Sequence, residues 1–376
     1  MRKYGKKCKA LIENCQNVYG LDKYDQADQS RSILCVVPDL SLNGAQTVFC
    51  ELLSLMRTIG EYRFCIISPE DGEYRNKYVN EGSMVCIRPL VVADDDVRYD
   101  LQHQFDAVIL NTALVHGYAM FFINTDVPLL WWIHEGEEHI RACCMDMPNP
   151  NLLSSNIHIF SVSYRVQNAL RSVFQFNSEI MNMFIEDERD KYISGDIEHE
   201  RVVFVIPGAY IPLKGQDIML SAIAELPEEY RDKASFVFCG YKVVGNEEYH
   251  DRIIEISSRY DCIRHIGQLS KNELYKLYAE CDCVVAPSRT DSNPATIVEA
   301  MMFGKISIAS VNCGVSLFIK DCINGFVFDG VNELVKRLLL VINDIDSIRC
   351  IGERGRQIYL EHYSSKTVIG MLKEIL

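Results

Sequence analysis

Short continuous apolar runs alternate with stretches of helical period along most of the chain. Ile33-Leu34-Cys35-Val36-Val37 reads as a buried strand that ends in the turn-rich loop Pro38-Asp39-Leu40-Ser41-Leu42-Asn43-Gly44. Val48, Leu52, Leu55 and Met56 then recur on one helical face. Further strands are predicted at 62–68, 84–88, 106–110, 129–134 and 157–162, with helices between several of them. A charged stretch, Glu186 to Lys191, and the loop Ser194-Gly195-Asp196 interrupt the alternation. It restarts with strand Val202–Ile206, a helix from Gln216, strand Phe236–Cys239, helix 248–259 and strand 262–266. Helix 271–280, strand 282–286, helix 295–303 and strand 306–310 follow. Residues 331–376 read as helical, with a break near Tyr363-Ser364-Ser365.

Apolar runs separated by helices signal parallel sheets covered on both faces. The expected class is therefore α/β, with two Rossmann-like doubly wound domains facing a cleft. The expected boundaries are 1–190, including a polar helix-plus-linker extension over 1–30, then 191–357. A C-terminal helix over 358–376 is expected to pack back on the N-terminal domain. In such folds ligands bind at the carboxyl ends of strands.

Composition narrows the chemistry. A chain of 376 residues is comfortable for two domains, and 48% hydrophobic with 24% charged residues is a globular balance. The net charge of -14 argues against a nucleic-acid partner. A phosphate site must then be local, built from backbone N–H groups and one or two cations. The 15 cysteines are scattered, several inside strand-like runs, as reduced buried thiols of a cytoplasmic protein would be. Cys281 with Cys283, and Cys143 with Cys144, lack zinc-site spacing, so no metal is expected. Asp94-Asp95-Asp96 contains an Asp-x-Asp spacing but reads as a solvated acidic loop. No run reaches the ~20 apolar residues of a membrane span, and no signal peptide is evident. Arg2, Lys3, Lys6, Lys7 and Lys9 read either as a solvated helix end or as a peripheral contact with an anionic inner membrane face.

The most informative segment is Pro287-Ser288-Arg289-Thr290-Asp291-Ser292-Asn293-Pro294-Ala295-Thr296-Ile297-Val298-Glu299-Ala300-Met301, which follows the strand Cys283-Val284-Val285-Ala286. Pro294 suits the first turn of a helix, and Ser292 or Asn293 suits its cap. Strand, loop and helix start together present free N–H groups and a positive dipole end, ready for a diphosphate. Asp291 and Glu299 are placed to accept from sugar and ribose hydroxyls. The spacing alone is equally met by a plain helix cap and a solvated helix residue.

Asp291 and Glu299 with Asn293-Pro294 between them, then Glu299-Ala300-Met301 and Gly304, resemble the acidic motif of the "glycosyl transferases group 1" family. That family comprises retaining enzymes of the GT-B fold and usually carries Glu at both ends of the motif; here the first is Asp. The segments Ile306 to Ser310, Cys313-Gly314-Val315 and Asn324-Gly325-Phe326-Val327 are similar to the family's strand, glycine turn and hairpin. Ile206-Pro207-Gly208-Ala209-Tyr210-Ile211-Pro212-Leu213-Lys214-Gly215-Gln216-Asp217 resembles its glycine loop and "KGxD" helix start. Leu42-Asn43-Gly44-Ala45-Gln46 resembles the glycine-rich loop after the first strand. Trp131-Trp132-Ile133-His134-Glu135 places a histidine where relatives touch the donor sugar. Ser161-Val162-Ser163 resembles a strand end of structural role.

The resemblance implies a metal-independent, retaining transfer from a nucleotide-diphosphate sugar, without a cofactor, to a glycan or lipid-linked glycan. Lys214, the amides around Asn293 and the helix dipole would stabilise the leaving diphosphate. Asp291 and His134 would serve the transferred sugar. Gly44, Gly208, Arg289, Ser292, Asn293, Pro294, Ala295 and Glu299 would line the donor site, Glu299 on the ribose. Many relatives carry an arginine in the KGxD loop where this chain has Ala209 and Leu213, and Arg289 is the candidate replacement. Those departures keep a second reading open, a GT-B-shaped partner subunit without turnover. An oxidoreductase or epimerase would need a Gly-x-Gly-x-x-Gly loop after a strand, and there is none.

Overall fold

The computed structural model describes residues 8–26, 30–87, 95–143, 153–193 and 200–375. The chain divides into two compact units, Met1–Met183 with Val368–Leu376, and Phe184–Thr367. Arg2, Lys3, Lys6 and Lys7, Asp94, and the loop Ser194-Gly195-Asp196 lie outside the described residues.

Among the described residues the first unit holds eight strands: β1 (Asn17–Tyr19), β2 (Arg31–Val36), β3 (Tyr62–Ser68), β4 (Met84–Ile87), β5 (Ala107–Asn111), β6 (Leu129–Ile133), β7 (Ile157–Ser161) and β8 (Glu179–Ile180). Their order is β1-β4-β3-β2-β5-β6-β7-β8. All neighbours run parallel except β1, which pairs antiparallel with β4 through Val18 and Cys86. The polar extension 1–30 is thus more than helix and linker, because it supplies an edge strand. Asp95 and Asp96 open the helix Asp95–His103 instead of lying in a loop. There their carboxylates complement the positive dipole end. β6 is buried throughout, and its two indoles are satisfied by the carbonyls of Thr112 and Met181, each at 2.8 Å.

The second unit holds β9 (Val202–Pro207), β10 (Ala234–Cys239), β11 (Ile263–His265), β12 (Cys283–Ala286), β13 (Ile306–Ser310) and β14 (Phe326–Phe328). The order is β11-β10-β9-β12-β13-β14, entirely parallel. The segment after Asn324-Gly325, expected as a hairpin, instead adds β14 parallel to β13. Apolar side chains of β9, β10, β12 and β13 form one core with the helices Gln216–Glu225 and Gly330–His362. The helix Lys271–Glu280 begins where expected, at a capping box between Ser270 and Glu273.

The second unit opens at Phe184, earlier than the 190/191 boundary read from the charged stretch. Asp187 and Arg189 explain this, since they pair with Arg356 at 2.7 Å and with Glu353 on the last long helix of that unit. The chain returns to the first unit only at Val368, not 358. The fully buried Tyr359 holds its helix in the second unit by donating to the Ile185 carbonyl at 2.7 Å. The predicted break near Tyr363 is present, between the helices Gly330–His362 and Ser365–Ile375.

Candidate functional site

In the second sheet the chain runs outward from β9 to β10 and β11, then jumps back to lay β12 on the other side of β9. The carboxyl ends of β9 and β12 are therefore the topological switch point, the place where ligands bind in open α/β sheets. Both motifs read from the sequence open there. The loop after β9 carries Gly208 to Lys214, and the loop after β12 carries Pro287 to Pro294.

The two loops are fastened to each other. Arg289 N donates to the Leu213 carbonyl at 2.8 Å, and its guanidinium donates to the Pro212 carbonyl at 2.6 Å. Gly215, at φ 69°, carries the chain under the second loop. A Cβ there would stand 1.9 Å from the Pro287 carbonyl oxygen. Gln216 is buried, and its side-chain amide donates to the carbonyls of Gly208 at 3.3 Å and Ala209 at 2.9 Å. Gly208 sits at φ 153° with the Lys214 stem packed 3.6 Å from where a Cβ would be. That geometry brings the Lys214 ammonium to Asp291, Nζ to Oδ2 at 2.6 Å. The other Asp291 oxygen accepts from Asn293 N at 3.2 Å. The Asp291 main chain is bracketed by Asn312 and Gly314 of the segment after β13.

Several site expectations change in detail. The helix starts at Ala295, and its cap is Pro294 itself, with no side-chain cap from Ser292 or Asn293. Pro294 has an extended ψ of 109° and stands outside the first turn, while the Asn293 side chain is engaged elsewhere, by Tyr363. The first amides of Ala295 and Thr296 have no intrahelical acceptors, as at any helix start, and no side chain caps them. Arg289 is committed to Asp217, at 2.6 and 2.8 Å. Burial works to raise the Asp217 carboxyl, but the Arg289 guanidinium and the Tyr249 hydroxyl outweigh it and hold the group below the usual carboxylate range. As a stand-in for the missing loop arginine, Arg289 must first leave this pair. Glu299, further along the helix Ala295–Met302, accepts from the Tyr275 hydroxyl at 3.4 Å. Sequence reasoning missed Gln216, Tyr249 and Tyr363. The partners of Tyr249 and Tyr363 are distant in sequence, and those of Gln216, though only seven and eight residues away, are main-chain carbonyls that no side-chain pattern marks.

Gly44 and His134 belong to the first unit. Gly44 is the first residue of the helix Gly44–Ile59, capped by the Asn43 side chain on Gln46 N at 2.9 Å. A Cβ at Gly44 meets nothing within 4 Å, so the fold makes no steric demand for glycine there. His134 follows β6, with its ring against Trp132 at 4.5 Å. The residue is half-buried, but ring Nε2 is sealed from solvent and has no hydrogen-bond partner among the described residues. Glu135 turns inward and accepts from Ala113 N at 2.9 Å.

Burial pushes the His134 imidazole down to about 3, so the ring is neutral through the ordinary assay range. The unfolded chain takes up a proton there below about pH 6.5, and the folded protein does not. This contribution to stability is complete above that pH and is lost as pH falls toward the folded value. Thermal melts between pH 7 and 4.5 are expected to fall with acid, and His134→Gln is expected to flatten part of that slope.

Among the described residues no group of three or more His, Cys, Asp or Glu is arranged to hold a metal ion. No described helix is long and apolar enough to cross a membrane.

Comparison with known proteins bears on the family and the fold. Residues 187–358 match the family of Glycosyl transferases group 1, so the resemblance carried by the KGxD and acidic segments is shown for the second unit. An uncharacterized glycosyltransferase of Methanocaldococcus jannaschii is 25% identical over 170 residues, 44% of this chain and 45% of that protein. The lipopolysaccharide 1,2-N-acetylglucosaminetransferase of Salmonella typhimurium is 26% identical over 194 residues, 48% of this chain and 49% of that protein. The chain spans about half the length of the curated relatives it matches. The crystal structure of Anabaena HepE in complex with UDP superposes with a TM-score of 0.74 at 17% identity, covering 92% of this chain and 98% of HepE. The fold is thus of the GT-B type, two Rossmann-like parallel-sheet units.

Proposed function

We propose that the protein is a nucleotide-sugar-dependent glycosyltransferase whose second unit holds the donor. The observation that carries this reading is the Lys214–Asp291 pair in the loop that leads into the uncapped start of the helix Ala295–Met302, at the switch point between β9 and β12. A diphosphate placed there meets an ammonium, a helix dipole and backbone donors together. The family match over 187–358 and the UDP bound to HepE support the choice of a nucleotide diphosphate over another anion.

The transfer proceeds with retention and without a metal. The donor C–O bond to the diphosphate breaks while the acceptor hydroxyl attacks from the same face, and the leaving phosphate takes the proton. Catalysis then rests on Lys214 and the fixed amides, which stabilise charge as it grows on the leaving group. Asp291 receives hydroxyls of the transferred sugar and Glu299 those of the ribose. The acceptor is a glycan or lipid-linked glycan, a reading supported by the lipopolysaccharide in the name of the Salmonella relative. The protein works in the cytoplasm, with peripheral contact at the membrane through its basic N-terminus.

A panel of UDP- and GDP-sugars, followed by nucleotide release, tests the reading. At least one donor is expected to turn over in the presence of a chelator. Glu299→Ala is expected to raise the donor KM about 10- to 100-fold, the loss of a charged acceptor. Retained full activity in that variant would remove Glu299 from the site.

A second reading, a GT-B-shaped partner subunit without turnover, is favoured by one observation. Both cations near the loop are already paired within the protein, Lys214 with Asp291 and Arg289 with Asp217. Calorimetric binding of UDP together with zero turnover across the panel would select it.

A further inference from the structure

Residues 184–188 open the second unit, and residues 356–364 lie near its end. The two segments are bonded together. Ile185 N donates to the Tyr363 carbonyl at 2.9 Å, the Tyr359 hydroxyl donates to the Ile185 carbonyl, and Arg356 pairs with Asp187. Tyr363 ends this stitched region, at 0% exposure. Its ring packs edge-on against Phe318 at 5.6 Å. Phe318 closes the short 3-10 turn Gly314–Phe318, whose first amide donates to the Asp291 carbonyl at 2.9 Å. From the other side the Tyr363 hydroxyl donates a long hydrogen bond, 3.3 Å, to Asn293 Oδ1. Tyr363 therefore supports the loop after β12 at both of its functional positions, through its ring toward Asp291 and through its hydroxyl at Asn293.

We propose that Tyr363 is a positioning residue for donor binding. It holds the Asn293 side chain, and with it the loop from Asp291 to the first turn of the helix Ala295–Met302, in the geometry that receives a diphosphate. It also links that geometry to the paired opening and closing segments of the unit. The inference rests on reading this loop as the donor loop. Burial raises the phenol well above its ordinary value, so the hydroxyl stays a donor at any working pH. A buried tyrosine whose hydroxyl merely needed a partner would be met equally well by a nearby main-chain carbonyl. Here the partner is a side chain of the site loop.

Tyr363→Phe keeps the ring and its contact with Phe318 and deletes only the hydroxyl. Amide hydrogen exchange of the free protein is expected to accelerate about three- to tenfold across 291–298, with little change elsewhere. The donor KM is expected to rise by a similar factor while kcat and the melting temperature stay nearly unchanged. Because the hydroxyl acts through Asn293, Tyr363→Phe is expected to add nothing to the effect of Asn293→Ala. Unchanged exchange across 291–298, or full additivity of the two substitutions, overturns the proposal. Should the wild-type protein turn over no sugar nucleotide, the functional reading fails. Exchange measured with and without UDP then decides on Tyr363 alone, faster exchange in the free variant upholding it and unchanged exchange ending it.

Discussion

Lys214→Met is expected to lower kcat/KM for the sugar donor by about 10²- to 10³-fold, the cost of removing one preorganised stabiliser of a leaving group's charge. Two effects act in the same direction. The ammonium no longer faces the diphosphate, and Asp291, now 2.6 Å from nothing positive, turns its charge on the incoming anion. Methionine fills the space that the lysine stem occupies beside Gly208, so packing is preserved. The pair is partly exposed, with 36% of the lysine side chain open, so its contribution to stability is at most about 1 kcal/mol. Activity should therefore collapse while the melting temperature moves little. Lys214→Arg, which retains a cation on a bulkier head, should recover part of the rate. Initial rates with the best donor of the panel, beside a thermal melt of each variant, measure both arms. An intact kcat/KM in Lys214→Met would dismiss the lysine from the chemistry.

Lys214 stood out through the resemblance of its segment to the family's "KGxD" helix start, and the local part of that segment is legible by itself, whereas its partner Asp291 lies in a distant loop. A strand, a glycine and a "KGxD" start follow one another within a dozen or so residues, and each obeys rules of short range. The same holds for the buried parallel strands, which are continuous apolar runs, and for the helix at Ser270, where a capping box spells its own beginning. β1 was hidden for the opposite reason. Three residues, Asn17 to Tyr19, are too few for a periodicity, and what makes them a strand is the unpaired edge of β4. β14 departs from the hairpin that the resemblance implies, because the strand after Asn324-Gly325 finds its hydrogen bonds on β13, a pairing no local pattern announces. The charge state of the site was equally out of reach. Arg289 and Asp217 lie far apart in sequence, and nothing local tells an arginine free to bind phosphate from one held by a carboxylate. Tyr363 was visible only as the neighbour of a helix break, although its hydroxyl reaches Asn293.

The largest structural effect is expected from a single methyl group. Gly215→Ala must place a Cβ 1.9 Å from the Pro287 carbonyl oxygen while holding φ at 69°. The neighbour is backbone, and it lies in a loop whose position is fixed by Arg289 N on Leu213, so it cannot yield cheaply. The left-handed conformation alone costs an alanine about 1 kcal/mol relative to glycine. Forcing the two loops apart adds about 1–3 kcal/mol, the usual cost of overpacking. For a unit of this size each kcal/mol is worth about 2–4 °C, so the melting temperature should fall by roughly 5–15 °C. Donor turnover should fall with it, because the loops that separate are those carrying Lys214 and Asp291. The same methyl at Gly44, where no atom lies within 4 Å, should leave the melting temperature within about 2 °C of the parent, on the scale of an exposed Gly→Ala change at a helix start. Differential scanning calorimetry of the two variants side by side separates a steric demand from a mere preference for glycine. Equal melting temperatures would mean that the β9 and β12 loops are not packed as closely as this geometry requires.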